Sequence, residues 1–163
     1  MIAFKRILVP TDFSETSDAA IRYAVELTRG FNSALHVLHV VERNSQYDEG
    51  MEFPLGLMEG LQNSARERLN KVLTEEEKAV VRPEVVLRVG NPFLEIIGCA
   101  KEHDIDLIVM GTHGRGFVTH MLMGSVAEKV VRKAPCPVLT VRDTRHEFVL
   151  REEVEKVSVR AAH

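Results

Sequence analysis

Short apolar runs alternate with longer segments of helical spacing along most of this chain, and that alternation restricts the fold more than any other feature. The runs are RILV (Arg6 to Val9), ALHVLHVV (Ala34 to Val41), EVVLRV (Glu84 to Val89), DLIVM (Asp106 to Met110) and CPVLTVR (Cys136 to Arg142). A brief apolar run such as RILV, stopped by Pro10, suits a strand buried on both faces. Between them, Ala20, Tyr23, Ala24 and Leu27 form one stripe, with Asp12 and Ser14 offering N-cap oxygens and Gly30 a C-terminal stop. Leu61, Ala65, Leu69 and Val72 predict one long charged helix from about Leu61 to Ala79, after an irregular stretch from Glu42 to Gly60. Gly90-Asn91-Pro92 reads as a turn, and Phe93 to His103 and Ser125 to Lys133 as further helices. Strands alternating with helices predict right-handed βαβ crossovers, hence an α/β fold with a parallel sheet covered on both faces.

Composition narrows the function classes. The 163 residues suit one domain, and 45% hydrophobic with 28% charged residues is an ordinary globular balance. A net charge of −3 argues against a general nucleic-acid or acidic-lipid surface. The N-terminal apolar run is too short for a signal peptide, and no stretch approaches the ~18 apolar residues of a membrane span. The expectation is a cytoplasmic protein without nucleic-acid or membrane partners. Cys99 and Cys136 lie far apart without a CxxC, so neither a disulfide framework nor a cysteine zinc site is expected. Cys99 reads as helix core, Cys136 as a turn residue between two prolines, and neither shows a histidine partner that would make it a nucleophile. His36 and His39, three apart on a strand, point to opposite faces and cannot share one metal. The methionines at 51, 58, 121 and 123 read as packing or as a flexible cover over a ligand.

An open parallel sheet binds ligands beyond the carboxyl ends of its strands, so the loops after Val9, Val40 and Met110 matter most. The last begins GTHGRGFVTHMLMGS, from Gly111 to Ser125, with four glycines. Glycines let backbone amides approach an anion, and a helix opening at Ser125 and Val126 would add its unpaired amides and dipole. Ser125 can also cap that helix or donate its hydroxyl, and His113, Arg115 and His120 can supply charge or donors. The stretch is neither a Walker A loop nor a dinucleotide fingerprint, since Thr119 stands where GxGxxG requires glycine. The plainer alternative is a glycine-rich surface loop leading into a helix.

Gly111-x-x-Gly114, nine residues, then Gly124-Ser125 matches the G-2x-G-9x-G-(S/T) motif of ATP-binding universal stress proteins, and the chain resembles that family elsewhere too. ILVPTDFSE (Ile7 to Glu15), LHVV (Leu38 to Val41), GNP (Gly90 to Pro92), DLIVMGTHGRG and CPVLTVR have family counterparts in the same order, over about residues 3 to 142. The resemblance implies a Rossmann-like, open five-stranded parallel sheet in the order 3-2-1-4-5. It implies a nucleotide-binding domain over residues 1–142 and leaves residues 143–163 as an extension. In that extension Leu150, Val154 and Val157 favour a helix, although EFVL can equally pair as a strand.

For ligands, the resemblance implies ATP, with Mg or Mn on its phosphates. Gly111, Gly114, Arg115, Gly116, Gly124, Ser125 and Val126 would contact ribose and phosphates, with His113 beside them. Main-chain groups of Pro10 and Val40, with Thr11 and Asp12, would line adenine and ribose, and Met110 would form an apolar floor. Asp12 would assist the metal, or cap the first helix through Asp12-x-x-Glu15. His39 sits where the family commonly has a histidine next to the nucleotide loop, and alternatively reads as a hydrogen-bonded core residue. The edge strand Pro137 to Val141 implies a homodimer. The implied function is an ATP-binding stress-response regulator that meets a protein partner. The alternatives are a slow metal-dependent ATPase or phosphotransferase, for which no general base or phosphate-loop lysine is evident, and a nucleotide-free dimeric scaffold.

Overall fold

A computed structural model describes residues 3–42, 56–112 and 123–142. Its elements run β1 (Arg6–Pro10), α1 (Glu15–Phe31), β2 (Ala34–Glu42), α2 (Leu57–Leu69), α3 (Glu75–Val81), β3 (Glu84–Gly90), α4 (Pro92–Glu102), β4 (Leu107–Gly111), α5 (Ser125–Lys133) and β5 (Val138–Val141). The strands form one parallel sheet in the order β3-β2-β1-β4-β5, as the alternation and the family resemblance imply. The expectations for the extension over residues 143–163, and for most of the stretch after Glu42, lie outside the described residues.

Side chains alternate across the sheet, so each central strand feeds two cores. Ile7 and Val9 join Ala20, Ala24 and Val25 of α1 on one face. Leu8, Leu38 and Ile108 meet Ile96 and Cys99 of α4 and Val130 of α5 on the other. Ile7, Leu8 and Val9 are fully buried, each contributing about 1.5–3 kcal/mol by leaving water. The amino ends of β1 and β4 are tied by Asp106, whose Oδ2 accepts from the amides of Lys5 and Arg6 at 2.8 and 2.9 Å.

Three local expectations are corrected. Gly30 lies inside α1, and Asn32 closes that helix instead, in the left-handed region at φ 53° with its amide bonded to Thr28 O. Asn tolerates that conformation through its short polar side chain. The single helix expected from Leu61 to Ala79 is two helices. Thr74 opens the second with a capping box, in which its hydroxyl accepts from the Glu77 amide while the Glu77 carboxylate accepts from the Thr74 amide. The irregular stretch ends earlier than Gly60, because Leu57 already begins α2.

Candidate functional site

The carboxyl ends of β1, β2 and β4 and the amino end of α5 enclose a cleft of about 660 Å³. That lies within the roughly 300–1,000 Å³ of small-molecule sites. Pro10, Thr11 and Asp12 enter it from β1, Val40 from β2, Met110 and Gly111 from β4, and Gly124, Ser125 and Val126 from α5. Each predicted site residue in the described part therefore borders one cleft. His113, Gly114, Arg115 and Gly116, with His120, lie outside the described residues.

The loop after β1 is held by its own side chains. Thr11 is buried, its Oγ1 lying 3.0 Å from Ser17 Oγ and accepting from the Phe13 amide at 3.0 Å. Asp12 is not the helix cap: Ser14 occupies that position, its side chain accepting from the Ser17 amide. Asp12 Oδ1 accepts instead from the Ser14 amide at 3.0 Å and from Ser14 Oγ at 2.5 Å, which sets the carboxylate at the cleft rim. The turn takes Phe13 to φ 63°, a costly conformation for a bulky side chain. His39 Nδ1 donates to Thr11 O at 2.7 Å, the carbonyl being only an acceptor. His39 is thus hydrogen-bonded at the cleft wall, between the two readings offered for it.

On the opposite side, α5 starts without a side-chain cap. Gly124 is its N-cap at φ −69°, ψ 154°, so Ser125 is the first helical residue and not the expected capping residue. The amides of Ser125, Val126 and Ala127 precede the first intrahelical bond, which runs from the Glu128 amide to Gly124 O at 2.9 Å. The Gly124 amide donates to Thr112 O at 2.6 Å, so the two described ends of the glycine-rich stretch meet beside the cleft. Met110 is buried and lines the cleft.

Several lining residues escaped the sequence reading. Arg68 of α2 sets its guanidinium carbon 4.0 Å from the Phe13 ring centroid, and that ring lies 4.3 Å from the His39 ring. Arg68, Phe13, Leu61, Ser64 and Thr112 all border the cleft. Only the stacking partners carry a signal afterwards, an aromatic in the β1 loop and a basic residue on the helix facing it.

The other chemistry-bearing residues lie elsewhere. Cys99 does have a histidine neighbour, contrary to expectation, with His103 Nδ1 3.7 Å from its sulfur. Full burial pushes the Cys99 thiol up from its ordinary value, so the pair is no activated nucleophile. Burial raises the Cys136 thiol likewise. His36 and His39 do face opposite sides of the sheet, His36 buried beside Glu84 and His103 and His39 at the cleft. No helix among the described residues is long and apolar enough to cross a membrane.

Comparison with known proteins gives a consistent picture. The family model described as "Universal stress protein family" matches residues 3–142. The universal stress protein MJ0531 of Methanocaldococcus jannaschii is 34% identical over 145 residues, covering 88% of this chain and 85% of its own. The solved structure of MJ0577 from the same organism superposes with a TM-score of 0.76 at 31% identity, covering 88% of this chain and 99% of that one. A universal stress protein solved in complex with cAMP shares the fold at a TM-score of 0.55 and 24% identity, covering 86% and 98%. With the sheet order, the matched span and these relatives in agreement, the chain belongs to the universal stress protein family.

Proposed function

We propose that the cleft binds ATP and that the protein is a nucleotide-responsive regulator in the stress response, with no dedicated catalytic role. The observation that carries the reading is the junction of Thr112 and Gly124 beside the uncapped start of α5. It brings the first and last glycines of the motif to one wall of the cleft and aims helix amides at the place where phosphates would lie. The described donors fit such a group. Met110 and Val40 offer apolar surface to a base, Thr11 and Asp12 stand at the rim for ribose, and Ser125 and Val126 supply anion-binding amides. The remaining phosphate contacts are assigned by motif to Gly114, Arg115 and Gly116, with His113 nearby. A Mg or Mn ion would neutralise phosphate charge when bound, and Asp12 is a carboxylate that borders the cleft on the β1 side. The proposed partners are ATP, a second copy of the chain through the β5 edge, and an unidentified protein.

The test uses the full chain. Denaturing the purified protein and chromatographing the supernatant should release adenine nucleotide, and Mg-ATP should raise the thermal midpoint of the nucleotide-free protein. GTP and cAMP serve as competitors, cAMP because a protein of this fold has been solved with it. Gly124→Val should weaken ATP binding at least tenfold while keeping the far-UV spectrum, since φ −69°, ψ 154° suits any residue. No released nucleotide and no thermal shift would sink the proposal, and turnover that disappears in Asp12→Ala would replace it with an ATPase.

A further inference from the structure

We propose that His36, Glu84 and His103 form a binding site for a zinc-class divalent cation at the sheet edge opposite the nucleotide cleft. The three residues lie far apart in sequence and are brought together by register and topology. His36 and Glu84 are direct partners across β2 and β3, and His103 closes α4, which packs on that face. One ligand atom from each falls within 4.8 Å of the other two. His36 Nδ1 lies 3.3 Å from Glu84 Oε2, and His103 Nε2 lies 3.5 Å from Glu84 Oε1. Tetrahedral zinc with bonds of about 2.0–2.1 Å spaces its ligands roughly 3.3–3.4 Å apart, so with the two contacts made to different Glu84 oxygens, a small rotation of the exposed carboxylate would bring one oxygen to both rings. Two imidazoles and one carboxylate suit zinc, and the half-exposed Glu84 leaves a side open for water as fourth ligand.

Proton placement strengthens the geometry. His103 Nδ1 lies 3.0 Å from the Cys99 carbonyl oxygen, which only accepts, so Nδ1 carries the proton. That leaves Nε2 as the ring nitrogen turned toward Glu84 Oε1 and placed to serve as a ligand atom. The Nδ1-to-carbonyl bond is also the usual outer support that orients a metal-binding histidine. On the other side, His36 is 5% exposed, and its Nδ1 makes no well-aligned hydrogen bond, its contact with Glu84 Oε2 at 3.3 Å being one of distance only. Buried polar atoms are nearly always satisfied, and a metal at this point would satisfy it. Arg6 adds positive charge nearby, but its guanidinium is engaged by Asp104 at 3.2 Å and His103 O at 3.0 Å.

Nucleotide-free protein, stripped with chelator, should bind Co²⁺ with the strong visible absorption of tetrahedral coordination, and Zn²⁺ should displace it. Zn²⁺ should also shift the ring-nitrogen resonances of His36 and His103 in the unaltered chain. Glu84→Gln and His103→Gln replace partly exposed side chains, and each should weaken binding at least tenfold. Ser125→Ala, at the cleft, should leave Co²⁺ binding unchanged. Absence of tetrahedral binding, unmoved His36 and His103 resonances, or retention of full affinity in either variant overturns the proposal. Because no nucleotide is present, these results are independent of whether the cleft binds ATP.

Discussion

Gly111 ends β4 where a Cβ would stand 3.0 Å from both the carbonyl carbon and the carbonyl oxygen of Thr16. The neighbour is helix backbone, which yields less readily than a side chain, so any Cβ here would push α1 from β4 by a few tenths of an ångström whatever the cleft binds. Gly111→Ala should lower unfolding free energy by about 1–3 kcal/mol, the usual cost of overpacking, read as a lower urea midpoint with unchanged slope. The sequence made this glycine legible as the start of a loop, but its tight approach to Thr16 depends on packing between residues distant in the chain. The same division holds for Phe13. Its neighbours Thr11 and Asp12 were legible as ligand-edge residues, whereas its positive φ and its stack with Arg68 and His39 follow from how the turn and α2 close on each other. Cys99 shows the converse, for its burial was legible and its histidine one helical turn away was overlooked.

Among the elements, the break between α2 and α3 separates what pattern can and cannot give. Leu61, Ala65 and Leu69 share α2, but Val72 packs on the core from the connection beyond it, so its helical spacing was coincidental. The start signal of the second helix stands in the sequence as Thr74-x-x-Glu77, inside the span that the apolar periodicity reads as one helix. The expected consequence is measurable, since α3 has only seven residues and depends on its cap. Thr74→Ala removes the hydroxyl that accepts the Glu77 amide and should cost about 0.5–2 kcal/mol in chemical denaturation. Thr74→Ser should retain most of that stability, and equal destabilisation by both would contradict a capping role. The boundaries of α5 needed no such correction, because Gly124 and the following apolar stripe point to the same start.

At the scale of the whole molecule, the alternation of strands and helices gave the parallel sheet, and the family resemblance gave its order. The two edges of that sheet differ in how they are protected. β3 carries Glu84 and Arg88, and Arg88 is bound to α4 through Glu102 and Glu95, so charge blunts that edge. β5 is four uncharged residues, Val138 to Val141, with Leu139 38% exposed and β4 as its one strand neighbour among the described residues. An uncharged, apolar edge with open backbone groups is a template for another strand, and a second copy of the same edge offers one through a twofold axis. This is the physical basis for the proposed homodimer. Sedimentation equilibrium should therefore give twice the chain mass of 18.3 kDa. Leu139→Lys places a charge on the open strand without touching the cleft or the His36 group, and should shift the protein toward monomer by at least tenfold in dissociation constant. A monomeric parent chain would remove the dimer. A dimer indifferent to Leu139→Lys would move its interface away from β5.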